Sequence, residues 1–324
     1  MLTIDASALA YRHSLGLAGT VCEIETNYRR LGSSLRYWTH AIPETNDDSR
    51  FSMQVLVTPG TKEPAESSHF RGLHHVVVAS FGHANVFVFD LLRRHIAAAV
   101  SESVALDPLF WNGRLLPIAV GVLGPTVGVV PVHCACLSLD GEGLLVAGVS
   151  GAGKSTLAAA LAQSGFDYVS DDWTYIGRGV DRLMAHGMAT RLKLLPDAIS
   201  HFPQLAEHSV STSLNGELAF EVEASLFGGR VLRSCEPRRC FFLERSSQTK
   251  SAFAPMCAEQ ARLCFQSSVE RLPDQLVDTA RTRAGIIERI ASLDCWTFRY
   301  GGTPQFAAQE ILSFVSSQSQ KVPA

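Results

Sequence analysis

The stretch Gly148-Val149-Ser150-Gly151-Ala152-Gly153-Lys154-Ser155-Thr156 decides how this chain is read. It satisfies G-x-x-x-x-G-K-[ST] at every specified position. The residues before it, Leu144 to Ala147, have the length and apolarity of a short buried strand. Those after it, Leu157 to Gln163, are strong helix formers, and Gly165 is placed to end the helix. Strand, glycine-rich turn and helix N-terminus in that order make an anion site. Backbone N–H groups point inward, and the positive end of the helix dipole faces the anion. Gly148, Ser150, Gly151, Ala152, Gly153, Lys154, Ser155 and Thr156 are therefore the expected nucleotide-binding set. Lys154 is expected to reach the β- and γ-phosphates and the Ser155 hydroxyl to ligate Mg²⁺. The cofactors implied are ATP, or another nucleoside triphosphate, and Mg²⁺.

The chain has 324 residues, a length that suits two domains, and 46% of them are hydrophobic, enough for a substantial core. Formal charge is −3, with no long basic run, so nothing electrostatic points to nucleic acid or an anionic membrane. Eight cysteines include no C-x-x-C and no zinc-ribbon spacing. The first residues carry Asp5 where a secretory signal needs a basic and then apolar run. The thiols are thus expected to be reduced core residues of a cytoplasmic protein. Leu115 to Val132 lacks charge, but Pro117, Gly121, Gly124, Pro125, Gly128 and Pro131 break it into pieces better suited to buried elements than to a membrane span.

Residues 1–105 read as a separate β-rich unit. Val21 to Thr26, Phe51 to Thr58, Leu73 to Ser80 and Asn85 to Asp90 carry β-branched and aromatic residues at strand length. Asn85 to Val100 fits either a hairpin turning at Leu91 to Arg94 or a strand followed by a helix. No catalytic constellation is visible in this unit. Residues 106–324 read as one α/β unit, with Leu218 to Val222 as an edge strand and Cys240 to Leu243 as a buried one. Thr303 is the expected N-cap of a last helix opening at Pro304.

Asp171-Asp172 lies just beyond the glycine-rich turn, after the helix and the apparent strand Phe166 to Ser170. Carboxylates at the carboxyl end of such a strand are where a phosphate loop needs them, one to hold metal and one to take a proton from an attacking hydroxyl. Adjacent like charges push pKa values apart, which favours that division. His133 precedes the turn, in a stretch that reads as a hairpin whose second strand feeds the loop. On the residues alone it fits a core histidine and a site histidine equally. Arg230, Arg233, Arg238 and Arg239 fit a solvated basic face, with one arginine entering the site as the other reading.

From His133 to Ile176 the chain resembles the core of the HPr kinase/phosphorylase family, which shares its P-loop fold with PEP carboxykinases. The resemblance rests on the histidine before the loop, on G-x-S-G-x-G-K-S, on a helix ending in Gly and on Val169-Ser170-Asp171-Asp172. It implies an α/β fold, with a P-loop-containing mixed sheet and flanking helices preceded by a smaller β-rich N-terminal domain. It implies Asp171 as catalytic acid/base, Asp172 as a magnesium-side or supporting carboxylate, and His133 as the residue orienting that pair. The bacterial enzymes also carry a Glu-Ile-Arg-Gly-like segment after the aspartates. Here the region reads Ala189-Thr190-Arg191-Leu192-Lys193-Leu194-Leu195, without Glu. Arg191 and Lys193 fit contacts to phosphate or an acidic substrate, and they equally fit idle strand cations. The chain looks more like the stand-alone HPr-kinase-like proteins, some of which phosphorylate a serine of a precursor peptide.

The activity this implies is transfer of a γ-phosphoryl group to a serine or other hydroxyl of a peptide, protein or small molecule. A nucleotide-binding regulatory or assembly protein is the alternative, and the sequence leaves room for a homo-oligomer. No second lysine/histidine set for Mn²⁺ and a keto acid is present, which argues against carboxykinase chemistry.

Overall fold

Alternating burial at every second residue builds the first sheet. The structure is a computed structural model that describes residues 9–39, 49–179, 182–188, 191–213, 217–247, 250–269 and 273–319. Asp5, Ala189 and Thr190 lie outside these. Strands β1 (Tyr11–Leu17), β2 (Thr20–Thr26), β3 (Arg50–Thr58), β4 (His69–Leu73), β5 (Val76–Ser80), β6 (Val86–Asp90) and β7 (His95–Ser101) form a seven-stranded sheet in the order β1-β2-β3-β7-β6-β5-β4. The β2–β3 and β3–β7 pairs are parallel and the remainder antiparallel. Met53, Val55 and Val57 of β3 and Phe87 and Phe89 of β6 are buried, so this face is core. Asn85 to Val100 is the hairpin, not strand and helix. Leu73 to Ser80, read as one strand, is broken at His74, whose φ of 53° makes the β4–β5 turn. Helix α1 (Leu116–Leu123) follows within the uncharged stretch.

A second mixed sheet is built from β8 (Val130–His133), β9 (Ala135–Leu139), β10 (Glu142–Ala147), β11 (Asp167–Ser170), β12 (Trp173–Arg178), β13 (Leu183–Gly187), β17 (Ser234–Arg245), β18 (Ala252–Pro255) and β19 (Asp294–Tyr300). Its path runs β11-β9-β10-β17-β13-β12-β8, with β19 parallel to β17 and β18 antiparallel to β19. Pro237 sits inside β17 because the ladder with β10 slips there, and a bulge tolerates a residue with no N–H. A three-stranded sheet contains β14 (Leu192–Leu194), β15 (Ser211–Thr212) and β16 (Leu218–Val222). Its middle strand is β16, so Leu218 to Val222 is not an edge strand.

Helix α2 (Lys154–Gln163) follows the glycine-rich turn. Helices α3 (Ala258–Ser267), α4 (Val277–Ala291) and α5 (Pro304–Ser319) complete the chain. Leu157, Ala158 and Leu161 of α2 share a buried cluster with Phe241 and Leu243 of β17, Phe298 and Tyr300 of β19, and Ala307, Ala308 and Ile311 of α5. The alanines let α2 lie close to its neighbours. The Thr303 hydroxyl accepts the Phe306 N–H at 3.2 Å, which is the expected cap of α5. The backbone divides into two compact units, 1–131 with 271–285 and 132–270 with 286–324. All eight cysteines are free thiols, and six are buried. No described helix is long and apolar enough to cross a membrane.

Candidate active site

Strand β10 runs into a turn that only glycines accommodate. Gly148, Gly151 and Gly153 have φ of 151°, 79° and 91°. These values let the loop wrap back over the start of α2, whose N-cap is Gly153. The Ala152 N–H closes the turn on Val149 O at 3.1 Å, and the first helical bond runs from the Leu157 N–H to Gly153 O at 2.8 Å. Ser150 and Gly151 are exposed, and Ser155 and Thr156 half-buried. Lys154 is buried, and its ammonium donates to Gly148 O at 3.0 Å and Val149 O at 3.3 Å. That uses two of its three N–H donors. Burial pulls Lys154 below its ordinary pKa, with Asp172 nearby pulling the other way.

β9 and β10 form a hairpin through Asp140 and Gly141, both at positive φ. β11 lies antiparallel to β9, hence in the same direction as β10, and Ser170 stands at the level of Cys136 and Leu145. The next residues, Asp171 and Asp172, therefore reach the edge where the glycine loop begins. The Ser155 hydroxyl lies 3.4 Å from Asp171 O. β8 does not pair with β9. It pairs with β12 at the far end of the sheet path, although only Cys134 separates β8 from β9. The sheet curls to bring these ends together. Thr174 Oγ1 ties the closure, donating to Cys134 O at 2.7 Å. His133 consequently faces Asp172, with Nε2 to Oδ1 at 2.9 Å. Its ring stacks on Trp173, with centroids 5.2 Å apart and planes 27° apart.

The two aspartates occupy opposite environments. Asp171 is 3% exposed. Its Oδ1 accepts from the Tyr168 hydroxyl at 2.7 Å and its Oδ2 from the Lys193 N–H at 3.1 Å. Burial pushes the Asp171 carboxyl up to about 6, against the opposing pull of those two donors and with a further push from Asp172. The Asp172 side chain is 57% exposed and is held by His133.

The other cations flagged by the sequence are engaged elsewhere. Arg230 bonds Asp167, Arg238 bonds Glu236 and Arg239 bonds Asp294. Arg191 pairs with Glu223 at 3.6 Å and Lys193 with Glu217 at 2.6 Å. Lys193 touches the site through its backbone. Tyr168 and the Lys193 N–H escape sequence reasoning. Tyr168 sits three residues before Asp171 and reads as an apolar strand residue, and the Lys193 contact is tertiary. Among the described residues, no cluster of three or more His, Cys, Asp or Glu side chains is placed to hold a metal ion by itself.

Comparison with known proteins bears on this geometry. The HPr kinase/phosphorylases of two strains of Treponema pallidum, one of them Nichols, are each 32% identical to the chain over 87 residues. Over that stretch the chain is similar to HPr kinase/phosphorylases. The alignment covers 24% of the chain and 26% of each relative, so the chain spans about a quarter of the length of the curated relatives it matches. The solved Hpr(Ser) kinase/phosphatase of Coxiella burnetii aligns over 59% of this chain and 97% of its own, with a TM-score of 0.30 and 13% identity. No family model matches. The family resemblance stated from the sequence therefore has a partial counterpart in the sequences of HPr kinase/phosphorylases.

Proposed function

We propose that this chain is an ATP- and Mg²⁺-dependent phosphotransferase with the P-loop architecture of HPr kinases. Its acceptor is a serine or other hydroxyl on a peptide, a protein or a small molecule. One observation carries the reading: a glycine loop with its lysine and serine, a buried carboxylate, and a histidine-held carboxylate share one sheet edge. Nucleotide binding by itself requires the first of these and not the other two.

The donor set fits magnesium. Mg²⁺ takes hard oxygen ligands and keeps only one or two from protein when phosphates supply more. The Ser155 hydroxyl and the Asp172 carboxylate are oxygens of that kind, and His133 orients Asp172 as an outer partner. When bound, the ion neutralises charge on the phosphates. Lys154 has one N–H donor left for them, and the loop amides add more. Asp171 takes the proton of the attacking hydroxyl. A carboxyl near pH 6 is a stronger base than an ordinary aspartate, and each of its oxygens keeps a lone pair beyond the bond already made. A second reading exchanges the aspartates, with Asp172 as base and Asp171 beside Ser155 on the metal side. The exposure of Asp172 favours it.

Transfer of label from γ-labelled ATP to a serine peptide or hydroxyl compound tests the proposal. Asp171→Asn is expected to keep nucleotide binding and lose transfer by at least about a hundredfold. Lys154→Ala weakens both. Full transfer by Asp171→Asn together with loss in Asp172→Asn moves the base to Asp172. Full transfer by both variants removes the acid/base proposal.

A further inference from the structure

We propose that Tyr300 and Arg245 form a further element of the nucleotide site, in which the Tyr300 hydroxyl holds the glycine loop in shape and the Arg245 guanidinium contacts the polyphosphate. The inference rests on the reading above only in requiring a polyphosphate ligand. Tyr300 ends β19 and Arg245 ends β17, and the two are paired in register. Because Ala147 pairs with Phe242 in the neighbouring ladder, both residues lie at the edge where β10 gives way to the loop.

Tyr300 is 2% exposed and donates to Ala152 O at 3.1 Å. In a trans peptide the carbonyl and the following N–H point to opposite sides. Tying down the Ala152 carbonyl therefore turns the Gly153 N–H away from Tyr300, toward the inside of the loop. The fit is close: a Cβ on Gly153 would stand 3.0 Å from the Tyr300 oxygen. The Ser246 N–H, one residue past the end of β17, bonds Tyr300 O at 2.8 Å, which fixes the tyrosine from that side.

The Arg245 guanidinium carbon lies 5.0 Å from the centre of the Tyr300 ring, and Arg245 is exposed. Among the described residues no carboxylate is within ion-pair distance of it, whereas its neighbour Glu244 is taken by Arg299. An arginine resting on an aromatic face is restricted in direction; Arg245 also bonds the Tyr300 hydroxyl, and its remaining N–H donors are left for an anion.

Calorimetric titration of the full chain with Mg·ATP, Mg·ADP and inorganic pyrophosphate tests this. Tyr300→Phe keeps the ring and the arginine stack, and should weaken all three ligands by about five- to tenfold. Arg245→Gln should weaken ATP and pyrophosphate by at least about tenfold and leave the ligand-free melting midpoint unchanged. Affinities within about twofold of wild type in both variants overturn the proposal. So does a lowered midpoint in Tyr300→Phe with affinity intact. Wild-type chain that binds ATP without transferring phosphate removes the phosphotransferase reading and leaves this inference standing. Wild-type chain that binds none of the three ligands removes both.

Discussion

At the residue scale the site turns on one carboxyl kept out of water. The Asp171 carboxyl is raised from its ordinary 3.8 to about 6 in the folded chain. The folded state therefore holds this proton more tightly than the unfolded state does. Its contribution to stability is greatest below about pH 4 and is lost as pH rises through 6, a swing of about 3 kcal/mol. Asp171→Asn lacks the swing. Relative to wild type it should gain about 3 kcal/mol of stability between about pH 4 and pH 8, read from urea midpoints at each pH. A constant difference across that range would mean that Asp171 titrates as an ordinary aspartate. The sequence identifies Asp171 and Asp172 as candidates because they end the strand that follows the loop helix, and His133 through the family resemblance. It does not reveal that His133 bonds Asp172, nor that Tyr168 and the Lys193 N–H hold Asp171. Hydrogen-bond partners are chosen by how the sheet curls, which no local pattern records.

At the element scale, legibility follows locality. The β10–loop–α2 unit is readable because its signals are contiguous: an apolar run, glycines where φ is positive, then alanine-rich helix formers. Strand β1 carries no such signal. Its outward residues are polar and pair across to β2, Arg12 with Glu25 at 3.0 Å and Ser14 with Glu23 at 2.5 Å. The β4–β5 turn escapes notice because it uses His74 and not glycine. Close approach between elements is equally invisible. A Cβ on Gly187 of β13 would stand 1.8 Å from Val169 O, two residues before Asp171. Gly187→Ala must push β13 and β11 apart. We expect a loss of at least about 3 kcal/mol, and a weaker Tyr168–Asp171 contact as β11 shifts. Denaturant unfolding would measure the first, and a difference below about 1 kcal/mol would mean that the strands absorb the methyl.

At the scale of the whole molecule, the chain leaves its first unit at residue 131 and returns to it for residues 271–285. The return is anchored on the β4–β5 hairpin. The Gln275 N–H donates to His74 O at 3.0 Å, and Pro273 O lies so close to Gly72 that a Cβ there would be 1.8 Å away. Asp274, almost wholly buried, bonds Arg283 within the same segment. A chain beginning at Val132 would keep this segment without its partner strand, so trypsin should cut it at Arg281 or Arg283 much faster than the intact protein. Equal rates of cutting would show that the segment is held some other way. The arrangement also sets an order of events during synthesis. Roughly 200 residues separate the β4–β5 hairpin from the segment that closes on it, and at about 5–20 residues per second the ribosome takes on the order of 10–40 s to deliver that segment. The N-terminal unit therefore cannot finish folding as it emerges. It waits, with Gly72 and His74 uncovered, until most of the second unit has been translated.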